Sequence, residues 1–127
     1  MATDRLERVR RGFAAIEQGD VETLVADAAE DAEYVNPDYA LEPGTRYGPD
    51  GARTALQNLL EAFDELHWEI EGLEERGDRV IATGTFTGRG KVSGIPFDRQ
   101  PFGVVLTYRG DEVIRFEWFN DPEEALT

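Results

Sequence analysis

Glu117 and its surroundings are the first place where this chain could do chemistry. It shares a strand face with Arg115 and Phe119. Its neighbours Phe116 and Trp118 are apolar, and the preceding strand offers Gly103 and Val105 opposite it. Such surroundings would desolvate the carboxyl, raise its pKa and suit it to general acid or base work, unless Arg115 opposes the shift. An exposed or Arg-paired carboxylate is the alternative. Tyr34 and Asn36 lie two apart and therefore share a face of a short strand. Asn36 either lines a pocket with Tyr34 or caps the turn into Pro37. Tyr47 is a further candidate for the pocket wall.

Other clusters carry plainer readings. Gly88-Arg89-Gly90-Lys91-Val92-Ser93-Gly94 has the glycines and cations of a phosphate cradle. A cradle needs a helix N-terminus after a strand, whereas this segment joins two strands and is predicted to be a hairpin tip. His67 shares its face with Glu69 and Glu71, which predicts exposure. Arg5, Arg8, Arg10 and Arg11 read as a solvated helix face. Asp27, Glu30, Asp31 and Glu33 lack calcium-loop spacing, so no metal site is expected. With no Cys and one His, thiolate, zinc-ribbon and Ser-His-Asp chemistry drop out. No cofactor is expected.

Charge narrows the partners. Twenty-seven acids against thirteen bases leave a formal charge of −14 and a pI near 4.3. Nucleic-acid backbones and anionic membranes want a basic face, so neither is expected to bind. No apolar run approaches the roughly 20 residues of a membrane span. The N-terminus lacks a signal-peptide core, which predicts a cytoplasmic protein. Lys91 is the only Lys. An acid-rich, Lys-poor surface suits high salt, and a composition-biased genome explains the Arg excess equally well.

The elements that must position these groups come as helices first and strands afterwards. Leu6, Val9, Phe13 and Ile16 predict a helix over 3–18, capped by Thr3 and ended at Gly19. Asp20 caps a short second helix. Residues 33–37 predict a strand stopped by Pro37, and 38–48 a loop. Ala52, Ala55, Leu56, Leu59, Leu60 and Phe63 predict a third helix, with Asp50 as its cap. From Leu66 the period becomes two, with a bulge expected beside Gly72. Strands follow at 79–89, 100–109 and 112–119, joined by a loop over 90–98 and a turn at Gly110-Asp111, and a polar tail starts at Asn120. Helices on one face of a curled, mainly antiparallel sheet define an α+β class, as a single domain over 1–127.

Several short signatures, in order along nearly the whole chain, resemble the SnoaL-like branch of the nuclear transport factor 2-like (cystatin-like, ketosteroid isomerase-like) superfamily. They are Gly19-Asp20, Tyr34-Val35-Asn36-Pro37, Arg46-Tyr47-Gly48-Pro49-Asp50-Gly51, Gly77-Asp78-Arg79-Val80 and the stretch from Gly110 to Asp121. The resemblance implies a cone-shaped α+β barrel, with three N-terminal helices packed on the sheet and an apolar pocket between them. It also implies a homodimer through the outer sheet face.

The activities of that superfamily can be tested residue by residue. Its steroid isomerases place a tyrosine where Gly12 stands, a catalytic aspartate where Asn36 stands, and a protonated aspartate at Val104 or Val105. An amide cannot abstract a carbon-bound proton, so that chemistry is not expected. Its cyclases place an acid/base carboxylate at a position matching Glu117, but their partner histidine falls at or beside Gly103. Its epoxide hydrolases need an Arg-x-Asp where Ile81 to Thr85 stands. The resulting expectation is a domain that binds a small apolar molecule. The ligand set would be Tyr34, Asn36, Tyr47, Gly103, Val105, Arg115 and Phe119. The alternative is a cyclase-, isomerase- or hydrolase-type enzyme with Glu117 as general acid/base. Apolar residues on both faces of the last two strands, such as Val104 against Val105, add support for a homodimer.

Overall fold

The computed structural model describes residues 5–36 and 44–127. Helix α1 (Arg5–Glu17) buries Val9, Phe13 and Ile16, the stripe its spacing predicts. Gly19 leaves the helix at φ +81°, a left-handed conformation that favours glycine. Asp20 Oδ1 accepts the backbone N–H groups of Glu22 and Thr23, at 3.0 and 3.4 Å, in the first turn of α2 (Glu22–Val25), although the N-cap position itself falls one residue later than expected, at Val21. The expected cap at Thr3, the stop at Pro37 and the body of the 38–48 loop lie outside the described residues.

Strand β1 (Ala28–Asn36) begins five residues before the predicted Glu33. Residues 44–47, expected within a loop, form the edge strand β2 (Gly44–Tyr47), antiparallel to β1. Helix α3 (Gly48–Ala62) starts two residues before Asp50, with Pro49 in its first turn, where a missing N–H costs nothing. Asp50 instead pairs with Arg53 at 2.6 Å. Four strands follow: β3 (Phe63–Arg76), β4 (Arg79–Gly90), β5 (Pro96–Arg109) and β6 (Glu112–Phe119). The irregularity expected beside Gly72 is a register shift between Ile70 and Gly72.

The six strands form one sheet in the order β2-β1-β6-β5-β4-β3, open at β2 and β3 rather than closed into a barrel. Every pairing is antiparallel except β1 with β6. One face buries Val80, Ala82, Phe102, Val104 and Leu106 with the stripes of α1 and α3. The opposite face carries a smaller cluster of Ile81, Val105 and Ala125. Ala125 belongs to α4 (Pro122–Leu126), which forms where a polar tail was expected. Asp121 caps it by accepting the Glu123 backbone N–H at 3.0 Å. The described chain therefore has four helices, two of them short.

Candidate ligand cavity

Aromatic side chains on alternate positions of the strands converge under α1 and α3. Around a cavity of about 450 Å³ stand Phe13 from α1, Trp68 from β3, Phe86 from β4, and Phe116 and Trp118 from β6. Phe86 sits edge-on to Trp118 at 5.4 Å and to Phe97 at 5.2 Å, and Trp118 stacks on Phe102 at 5.2 Å. Each such pair adds about 0.5–1.5 kcal/mol beyond the area it buries, so the wall is preformed. Trp68 is held by its backbone N–H, which donates to Glu17 Oε2 at 2.8 Å. Its indole N–H is enclosed and has no hydrogen-bond partner among the described residues.

Tyr34 stacks on Phe116 with centroids 4.6 Å apart, because the parallel register of β1 and β6 sets the two residues side by side. Burial pushes the Tyr34 hydroxyl well above the ordinary phenol range. It stays protonated at any physiological pH and can offer a ligand a hydrogen bond, not a negative charge. The polar members of the wall are Tyr34, Asn36, Asn58, Gln100 and Asn120, and none of the described lining residues is charged.

Of the residues the sequence singled out, Tyr34 and Asn36 line this cavity and the others do not. Glu117 pairs in register with Val35 and Val105 on the opposite face of the sheet. It lies 3.5 Å from Arg115, which holds Glu33 more closely, at 2.7 Å. Gly103 and Val105 are buried under α4, and Phe119 packs into the same outer cluster. Tyr47 is two-thirds exposed at the end of β2. The physical reason is the two-residue period of a strand: Phe116, Trp118 and Asn120 point into the cavity, so Arg115, Glu117 and Phe119 must point out. The cavity therefore belongs to the even-numbered face of β6.

Sequence reasoning did not find Asn58, Gln100 and Asn120. Asn58 interrupts the apolar run of α3 between Ala55 and Leu59, a signal that was available. His67 is exposed as expected, with its Nδ1 3.2 Å from Glu17. No group of His, Cys, Asp and Glu among the described residues could hold a metal. No helix among them is long and apolar enough to cross a membrane.

Comparison with known proteins places the chain by family. Residues 9–118 match the SnoaL-like domain, and the protein belongs to that family. A nuclear transport factor 2-like protein of Burkholderia thailandensis superposes with a TM-score of 0.80 at 24% identity, covering 96% of each chain. A protein of Catenulispora acidiphila with a ketosteroid isomerase-like fold, in complex with trimethylamine, gives 0.79 at 22% identity, over 91% of this chain and 85% of that one. A nuclear transport factor 2-like protein of Burkholderia xenovorans gives 0.74 at 28% identity, over 89% and 86%. No curated protein matches the sequence.

Proposed function

We propose that this protein binds a small, mainly apolar molecule in the cavity between the sheet and helices α1 and α3. The observation that carries the reading is the cavity itself. At about 450 Å³ it falls within the roughly 300–1,000 Å³ of ligand sites, and its wall is aromatic with a few uncharged polar groups. None of the described lining residues is a carboxylate that could serve acid/base chemistry. Glu117, the residue an enzyme of this family would use, faces away from the space a substrate would occupy. Tyr34 is too strongly held in its neutral form to act as a base.

The neutral fluorophore N-phenyl-1-naphthylamine tests this. Saturable enhancement of its emission at micromolar protein is expected. Ala55→Trp, which projects a ring into the cavity from α3, should abolish that enhancement while circular dichroism stays native. Absence of saturable binding, or binding that Ala55→Trp leaves intact, would overturn the reading.

We also propose that the outer sheet face meets a second copy of the chain. Helix α4 spans five residues and covers Ile81 and Val105, but Pro101 on the same face stays exposed and Val35 only half-buried. Apolar positions beyond the reach of α4 on a solvent-side face favour a partner.

A further inference from the structure

The chain contains three asparagines, Asn36, Asn58 and Asn120, and all three line the cavity. Gln100, one of its three glutamines, lines it too. The strand register gathers Asn36, Gln100 and Asn120 at one end of the sheet. Strands β1 and β6 run parallel, with Val35 beside Glu117, and finish at Asn36 and Phe119, so Asn120 follows at the same edge. Strand β5 runs the other way, with Gly103 opposite Phe119, which brings Gln100 to that end as well. Helix α3 adds Asn58 to the same lining. Gln100 and Asn120 are exposed and Asn36 and Asn58 are partly buried, while Phe13, Ile16 and Leu56 are buried, so the amides lie towards the solvent side of the cavity and these buried residues form its floor.

A polar mouth alone would be unremarkable, since a rim must meet water. Its composition is not. Twenty-seven residues of this chain are Asp or Glu against six Asn or Gln, so a rim filled without selection would be acidic. Four of those six amides stand here instead, with no carboxylate among the described lining residues. A carboxamide has two N–H donors and a carbonyl acceptor, and carries no charge. It can satisfy a carbonyl, hydroxyl or amide head on a ligand, but offers no counter-charge to an ionised one, whose desolvation costs far more. Asn120 is held in place by Trp118, whose indole N–H donates to its Oδ1 at 3.0 Å.

We propose that Asn36, Asn58, Gln100 and Asn120 form a carboxamide ring that holds the uncharged, hydrogen-bonding head of the ligand while its apolar body fills the aromatic floor. The ring selects neutral heads over carboxylates and ammonium groups of the same shape. This deepens the proposed function and rests on the cavity being a ligand site.

Four probes with one bicyclic body test it by quenching of tryptophan fluorescence at pH 7: 2-naphthamide, 2-naphthoate, 2-naphthylmethylammonium and 2-methylnaphthalene. 2-Naphthamide should bind at least about tenfold more tightly than either ion. It should also exceed 2-methylnaphthalene by about fivefold, the worth of one or two hydrogen bonds. Asn58→Leu and Gln100→Leu should each lower the ratio of 2-naphthamide to 2-methylnaphthalene affinity by at least about threefold. Gln100 is exposed, so its variant is expected to fold even if the Asn58 variant does not. Either ion binding as tightly as the amide, or an amide preference undiminished in the folded variants, would overturn the ring. Failure of 2-methylnaphthalene itself to bind would overturn the cavity reading beneath it.

Discussion

Gly103 on β5 and Ala125 on α4 meet so closely that a methyl group placed on Gly103 would stand 2.6 Å from the Ala125 Cβ. It would also lie 3.1 Å from the Pro122 Cα, so neither neighbour can swing aside as a flexible side-chain tip could. Glycine at this position lets the C-terminal helix seat on the outer face over Ile81 and Val105. Gly103→Ala should therefore lift α4 and destabilise the fold by about 1–3 kcal/mol, the usual cost of overpacking. Urea denaturation monitored by circular dichroism measures it, and an unchanged midpoint would mean that α4 is not held there.

Glu117→Gln should leave ligand binding untouched. The side chain lies on the outer face beside Arg115, so removing its charge loses one partly exposed ion pair, worth at most about 1 kcal/mol. The affinity for N-phenyl-1-naphthylamine is expected to stay within about twofold of wild type. A collapse in affinity would place Glu117 in the site after all.

Asp27 gives a pH-dependent handle on stability. Burial raises its carboxyl above the ordinary value of 3.8, outweighing Arg8 and Arg11, which lower it. A carboxyl whose folded pKa exceeds its unfolded pKa costs the folded state stability once pH rises above the unfolded pKa, because the unfolded chain gives up that proton more readily. Below the unfolded pKa both states are protonated and the cost vanishes. Asp27→Asn should raise the melting temperature at pH 7, and the gain should shrink as pH falls towards 4. A gain that grows on acidification would contradict the assignment.

Salt should stabilise this protein. A charge of −14 on 127 residues repels itself, and the Debye length shrinks to roughly 3 Å near 1 M salt. The melting temperature is expected to rise between low and molar sodium chloride. Local pairs such as Arg53 with Glu22 at 2.6 Å, or Arg109 with Asp31 at 2.9 Å, are weakened by the same screening. A flat or falling curve would show that such pairs outweigh the net repulsion.

The proposed pairing through the outer face makes a separate expectation. Sedimentation at micromolar concentration in high salt should give twice the chain mass. Pro101→Lys, which sets a charge on that face, should shift the equilibrium towards monomer without loss of ligand binding. A wild-type monomer would remove the proposal.

Much of this architecture is legible in local patterns, because local physics specifies it. The stripe of Val9, Phe13 and Ile16 can bury only as a helix. Gly19 and Gly110 sit where the backbone must turn through positive φ. The alternation from Val113 to Phe119, bounded by Gly110-Asp111, marks β6 at the residues where it is found. Tyr34 and Asn36 share a face by the same period of two, and both reach the cavity.

Tertiary structure decided which face that would be. Strands β5 and β6 carry apolar residues on both sides, so alternation separates Glu117 from Trp118 without saying which of them looks inward. The answer depends on α1 and α3 covering one face and on α4 covering part of the other, and α4 arises from a short acidic segment without an apolar stripe of its own. Strand β2 and the parallel pairing of β1 with β6 likewise leave no local pattern, since a sheet neighbour is chosen by the whole chain. The carboxamide mouth is the plainest case. Its asparagines lie at positions 36, 58 and 120, and only the fold sets residues so far apart in sequence around one space.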